Sequence, residues 1–234
     1  GGTSANSLAG VAITAYTRDA AKGEWQYYNG SAWANLGSVA SEAGSVTVAA
    51  ADSLRFVPAA NFNGPAPDLT VRLIDSSRTV VTGATVDLSA SNAKGGSTAY
   101  SLGTLTLSQS VTPANDAPTR SGTSVTLSAI NEDVASGSNL GATVTSLFSS
   151  KFVDSTDTVT GGSSANAFAG ILIVGNAANS AQGTWEYSTN GGGNWTSVST
   201  SLSTTSALAL SDSTNNGRES SSCKRCTSSR RRFT

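Results

Sequence analysis

Trp25-Gln26-Tyr27-Tyr28-Asn29-Gly30-Ser31-Ala32-Trp33 is the stretch whose reading decides the fold. Trp25 and Tyr27 flank a polar residue, a period of two that puts both rings on one face of a β-strand. Asn29-Gly30 supplies residues that tolerate positive φ in a tight turn, and Trp33 returns on the next strand. The segment therefore predicts a β-hairpin with its alternating aromatics in a core, where large side chains are needed to fill the space between sheets.

The same text returns later in the chain. Gly23-Glu24-Trp25-Gln26-Tyr27 recurs as Gly183-Thr184-Trp185-Glu186-Tyr187, and Gly1-Gly2-Thr3-Ser4-Ala5-Asn6 recurs as Gly161-Gly162-Ser163-Ser164-Ala165-Asn166, both at an offset of 160. The offset grows to 162 at Trp33 and Trp195, because the second copy has a longer loop after Asn190-Gly191. It is expected to return to 160 at Asp52-Ser53 and Asp212-Ser213. Residues 120–160 have no counterpart in the first copy, and residues 54–119 have none in the second. Laid end to end they describe one unit of 160 residues, so that both copies are incomplete and the chain reads as an excerpt.

Outward from the hairpin, further strands are expected at Leu54–Pro58, Leu69–Asp75, Thr85–Leu88, Ser101–Leu107 and Ser124–Leu127, and no helix is expected. Hydrophobic residues make up 38% of the chain and charged residues only 12%, with 24 glycines to punctuate short strands, which favours an all-β protein. No apolar run approaches the roughly 18–20 residues that span a bilayer. Of 14 basic residues, six lie in the last 17 positions, against one of the 15 acidic residues. The body up to residue 217 therefore keeps eight basic and 14 acidic residues, a net of −6 that argues against a nucleic-acid surface and suits cation binding.

Three motifs resemble the tandem cadherin-like, immunoglobulin-like repeats of very large bacterial surface and secreted proteins, including adhesins. Phe56-Val57-Pro58-Ala59-Ala60-Asn61-Phe62-Asn63-Gly64, followed by the strand ending at Asp75, looks like that family's F-x-P-x-x-x-F-x-G block. Asn115-Asp116-Ala117-Pro118 looks like the boundary between units, and Asn131-Glu132-Asp133 like the acidic turn near the start of one. The resemblance covers residues 1–214. It implies a first repeat over 1–114, a linker over 115–119 and a second repeat over 120–214, each an immunoglobulin-like β-sandwich. It further implies an exported, non-enzymatic stalk or adhesive module, located outside the cell and partnered by neighbouring repeats of the same polypeptide or by a cell-surface or glycan receptor.

Calcium is the cofactor that the resemblance implies. This ion takes six to eight hard oxygen ligands, so several carboxylates and carbonyls must meet. By analogy Asn115, Asp116, Asp154 and Asp157 would serve the joint, and Glu132 and Asp133 the opposite end of their unit. Here Pro113-Ala114 stands where the cadherin linker carries an additional acid, and two residues rather than one separate Asp154 from Asp157. The alternative for Asn115-Asp116 is an Asx-type turn between units.

The alternative function is a carbohydrate-binding module that stacks sugars on exposed Trp25, Tyr27 and Trp33. The chain has no His, which excludes histidine triads and imidazole metal sites. Its acids are scattered, and Glu24 is Thr184 in the second copy, which argues against a duplicated carboxylate active site. The glycine pairs match neither a phosphate-binding loop nor the nonapeptide calcium repeat. From residue 215 the apolar pattern vanishes into Ser, Arg and Cys, so 215–234 reads as an aberrant basic tail, disordered or out of frame. Its lone Cys223-Lys224-Arg225-Cys226 is a weak redox or zinc signal.

Overall fold

A computed structural model of the chain describes residues 5–212 and 222–226. The described chain is mostly β-strand in several antiparallel sheets. It divides into two compact units, one of residues 1–115 with 156–164 and one of residues 116–155 with 165–234.

In the first unit β1 (Leu8–Ala15), β2 (Gly23–Tyr28), β3 (Trp33–Asn35), β4 (Ser45–Ala49) and β5 (Leu54–Pro58) follow one another closely. After them come β6 (Gly64–Pro65), β7 (Leu69–Asp75), β8 (Thr85–Val86), β9 (Leu105–Leu107) and β10 (Ser110–Val111). Three sheets result, a five-stranded one in the order β8-β4-β1-β7-β9, a three-stranded one in the order β3-β2-β5 and a two-stranded pair of β10 with β6. Ile13, Val48, Leu69 and Val71 of the five-stranded sheet meet Trp25 of the three-stranded one in one buried cluster, which Tyr27 and Phe56 adjoin. The period-two alternation of these strands is the cause: every second side chain is apolar and points the same way. On the other face of the larger sheet, Ala12 and Ile74 pack with Leu88 and Tyr100, which the connection after β7 brings over them.

The second unit holds β11 (Thr119–Arg120), β12 (Ala142–Thr143), a five-residue helix α1 (Val144–Phe148) and β13 (Phe152–Val153). They are followed by β14 (Gly170–Ile173), β15 (Thr184–Ser188), β16 (Thr196–Ser197), β17 (Leu208–Ser211) and β18 (Ser222–Cys226). The helix contradicts the all-strand expectation. Thr143 caps it by accepting a hydrogen bond from the Ser146 amide at 3.1 Å, a local signal at its first turn. The strand expected at Ser124–Leu127 does not form: no β-pairing covers those residues. Of the expected aberrant tail, residues 222–226 form β18, paired along its backbone with β15 and β12; the remainder lies outside the described residues.

The repeat is physical as well as textual. The Leu36 amide donates to the Trp25 carbonyl at 2.9 Å, and the Val198 amide to the Trp185 carbonyl at 2.8 Å. The Ala21 amide donates to Asp19 Oδ1 at 3.0 Å, and the Ala181 amide to Asn179 Oδ1 at 2.9 Å, so one Asx turn precedes the hairpin in both copies. Strand β1 pairs with β4 through Gly10↔Ala49, and β14 with β17 through Gly170↔Ser211. These last pairs correct the expected register. After the hairpin the copies stay 162 residues apart, not 160, because Leu208 and Leu210 must fall where Val46 and Val48 fall for the apolar face to turn inward. Asp52 and Asp212 are therefore not counterparts.

Candidate functional site

The hairpin aromatics resolve first. Trp25 is 3% exposed, its indole N–H donates to the Pro67 carbonyl at 2.7 Å, and its ring meets Phe56 edge-on at 5.6 Å. Tyr27 packs against the same cluster. Trp33 stands alone at the surface among the three. Its ring lies 5.5 Å from Tyr28 and carries the Arg55 guanidinium 3.9 Å from its centroid. Gln26 Oε1 holds that guanidinium by accepting from Nε at 2.9 Å and Nη2 at 2.7 Å. The three rings named for sugar stacking thus do not form one platform, and the face of Trp33 is already engaged by a cation.

The residues that the resemblance names for calcium differ in their surroundings. Asn115 and Asp116 are exposed, in the irregular stretch between β10 and β11. Glu132 and Asp133 are exposed in a turn, Asp133 with φ +62°. Asp154 and Asp157 are buried. Asp154 Oδ2 accepts the Asn166 amide at 2.6 Å. Its Oδ1 is buried with no hydrogen-bond partner, and the residue is 7% exposed. A carboxylate oxygen in that position is costly unless a cation or donor meets it. Among the described residues no three Asp, Glu or Cys side chains converge as metal ligands would. Among the described residues Asp154 thus offers one unpartnered carboxylate oxygen, and no complete acidic cage assembles.

A residue that sequence reasoning passed over is Asn63. Its amide Oδ1 accepts the Ser163 N–H at 2.6 Å, and its Nδ2 donates to Ser163 Oγ at 2.8 Å. Ser163 Oγ donates in turn to the Asp157 carbonyl. A Cβ on Gly162 would strike Asn63, and one on Gly64, at φ +104°, would lie 2.8 Å from the Gly161 carbonyl. The end of the F-x-P-x-x-x-F-x-G block is therefore a polar seat for residues 156–164, within the first unit. Two signals pointed there: the Asn63-Gly64 dipeptide and the repeated glycine pair Gly161-Gly162.

A second polar centre of the first unit gathers around Glu42. Its carboxylate accepts from Arg72 Nε at 2.9 Å, from Arg72 Nη2 and from Lys94 Nζ. Lys94 and Arg72, in that order, hold the Glu42 carboxyl below its ordinary range. Arg72 is buried and also donates to the Ser101 carbonyl at 3.0 Å. This centre ties β7 to the 3₁₀ turn at Glu42–Gly44 and closes the second apolar cluster. In the second copy Leu202-Ser203-Thr204 occupies the corresponding stretch, with no acid.

In the second unit a hollow of about 850 Å³ is lined by apolar side chains that include Val125, Ile130, Leu140, Leu147 and Trp185. None of its described lining residues is acidic or basic. Comparison with known protein families, with curated proteins and with solved structures found no match to this chain.

Proposed function

We propose that this chain is a stretch of a tandem, immunoglobulin-like or cadherin-like repeat array, a non-enzymatic structural module of a large exported surface protein. The observation that carries the reading is the duplicated set of hydrogen bonds, backbone to backbone at Trp25/Trp185 and backbone to side chain at Asp19/Asn179. One β construction is made twice along one chain, as in proteins that build length by repetition. The two sheets that share one apolar cluster in the first unit support a β-sandwich as that construction. Neighbouring repeats of the same polypeptide are the partners of such a module, and the cell surface is its place.

Calcium belongs to this reading through Asp154. A cation at its unpartnered Oδ1 would meet the desolvation that the carboxylate has already undergone, and would tie the segment after β13 to Asn166. Asn115, Asp116 and Asp157, and separately Glu132 and Asp133, enter the proposal from the resemblance alone.

Thermal melting of the whole chain with millimolar calcium or with EDTA tests it. A ligand that binds only the folded state raises the melting temperature, so calcium should raise it in the wild type and not in Asp154→Asn. In EDTA the variant should melt at or above the wild type, since the amide still accepts the Asn166 N–H and an uncompensated buried charge is gone. Equal melting of both proteins with and without calcium would remove the cation and leave the repeat array.

A further inference from the structure

An asparagine followed by glycine can react with its own backbone. The glycine amide nitrogen attacks the side-chain carbonyl carbon, and glycine has no Cβ to oppose that approach. Three such pairs lie among the described residues, at Asn29-Gly30, Asn63-Gly64 and Asn190-Gly191. The fold gives them three different surroundings.

Asn29 is arranged for the reaction. It lies exposed at the tip of the β2–β3 hairpin, and its amide donates to the Ala32 carbonyl at 3.0 Å to close the turn. Its side chain folds forward over Gly30. Oδ1 accepts from the Ser31 amide at 3.1 Å, from the Ala32 amide at 2.9 Å and from Ser31 Oγ at 2.9 Å. Three donors on one carbonyl oxygen draw electron density from Cγ, and they stand where negative charge gathers during attack, as in an oxyanion hole. The Gly30 amide donates to no acceptor among the described residues. Gly30 has φ +91° and open space where a side chain would stand. Electrophile, nucleophile and solvent thus meet at one turn.

The other two pairs lack parts of this arrangement. Asn63 is 5% exposed, and Ser163 holds both ends of its amide. Asn190 is exposed, but its Oδ1 accepts from Ser188 Oγ behind it and from the Asn194 amide four residues ahead, both at 2.8 Å. The amides of Gly192 and Gly193, which stand where Ser31 and Ala32 stand after Asn29, bond instead to Ser188 Oγ and to the Asn190 backbone carbonyl.

We propose that Asn29 is a self-modification site, at which the chain converts its own asparagine to aspartate and isoaspartate with water as the only co-reactant. The Gly30 nitrogen forms a bond to Asn29 Cγ, the Cγ–Nδ2 bond breaks, and the Gly30 proton passes through solvent to the nitrogen that leaves as ammonia. Water then opens the five-membered succinimide at either carbonyl. Opening at Cγ gives aspartate, whose carboxylate keeps the three donors as charge-assisted partners. Opening at the backbone carbonyl gives isoaspartate, which routes the chain through the former side chain and lengthens the turn by a methylene. Either product adds one negative charge to the hairpin tip. The inference uses this turn alone and is independent of the repeat array and of calcium.

The test incubates the whole folded chain in mildly alkaline buffer and follows each Asn-Gly pair by peptide mapping with mass spectrometry. Asn29 is expected to convert first, ahead of Asn190, with Asn63 last, and the rate should rise with pH because the nucleophile is the deprotonated amide. Asn29 should also convert faster in the chain than in a synthetic peptide of residues 25–35, where the isolated hairpin is at best marginally formed. Ser31→Ala, at an exposed position, removes one of the three donors and should slow the chain about fivefold, the effect of one ordinary hydrogen bond, without changing the peptide. Gly30→Ala should slow both. Equal rates at the three asparagines would overturn the inference. So would slower conversion of Asn29 in the chain than in the peptide, or a Ser31→Ala chain that converts as fast as wild type, since the turn would then restrain Asn29 and not assist it.

Discussion

Glu42 shows how much one side chain organises. It joins Arg72 and Lys94, and its own carbonyl accepts from Leu88 N at 2.9 Å and Ser45 Oγ at 2.9 Å. Its folded-state carboxyl is lowered by those cations, whereas the unfolded chain titrates near the ordinary 4.5. A depressed acid contributes stability that is full above the unfolded value and is lost as pH falls through the folded one. Glu42→Gln should therefore cost about 2 kcal/mol at pH 7, since it leaves the buried Arg72 short of its partner. The difference from wild type should shrink as the pH is lowered below about 4. Urea unfolding at a series of pH values measures this. A constant difference across the range would show that the carboxylate charge is not what Arg72 requires. The sequence showed Glu42 only as one of several scattered acids, because its partners are 30 and 52 positions away.

At the scale of elements the strand pair that both units share is held close by glycine. A Cβ on Gly10 would strike the Val48 carbonyl, and one on Gly170 the Leu210 carbonyl. Gly170 also sits at φ +144°, where side chains are strained. Each replacement by alanine should cost about 2–3 kcal/mol. Chemical denaturation monitored by circular dichroism reads the loss, and a cost below about 0.5 kcal/mol would mean that the pair can shift apart. Strands β5 and β7 formed where alternation placed them, since a period of two with β-branched residues has one structural reading. The helix Val144–Phe148 and the unpaired Ser124–Leu127 went the other way. Both are short, and what decides short segments is the neighbour they pack against.

Over the whole molecule burial is unequal. The apolar clusters of buried residues found among the described residues, around Trp25 and around Tyr100, both lie in the first unit. Of the sixteen buried apolar residues among those described, Val144, Val198 and Leu210 lie in the second unit and the other thirteen in the first. Free energy of opening follows buried apolar contact. Heating should therefore resolve two transitions, the second unit melting first, and brief proteolysis should cut within 120–212 before it cuts within 8–107. A single cooperative transition with uniform cleavage would refute that order.

The sequence by itself determined that the chain is built of strands and that one pattern is used twice. Each of these is a local periodicity or a comparison of the chain with itself. Tertiary structure alone decided that the second copy runs 162 residues behind at its last shared strand. It also decided that Asn63 holds Ser163 and that Asp154 keeps a buried oxygen without a donor. The physical reason is common to all three. Register, burial and edge pairing are set by which distant backbone arrives alongside, and spacing along a chain does not record that arrival.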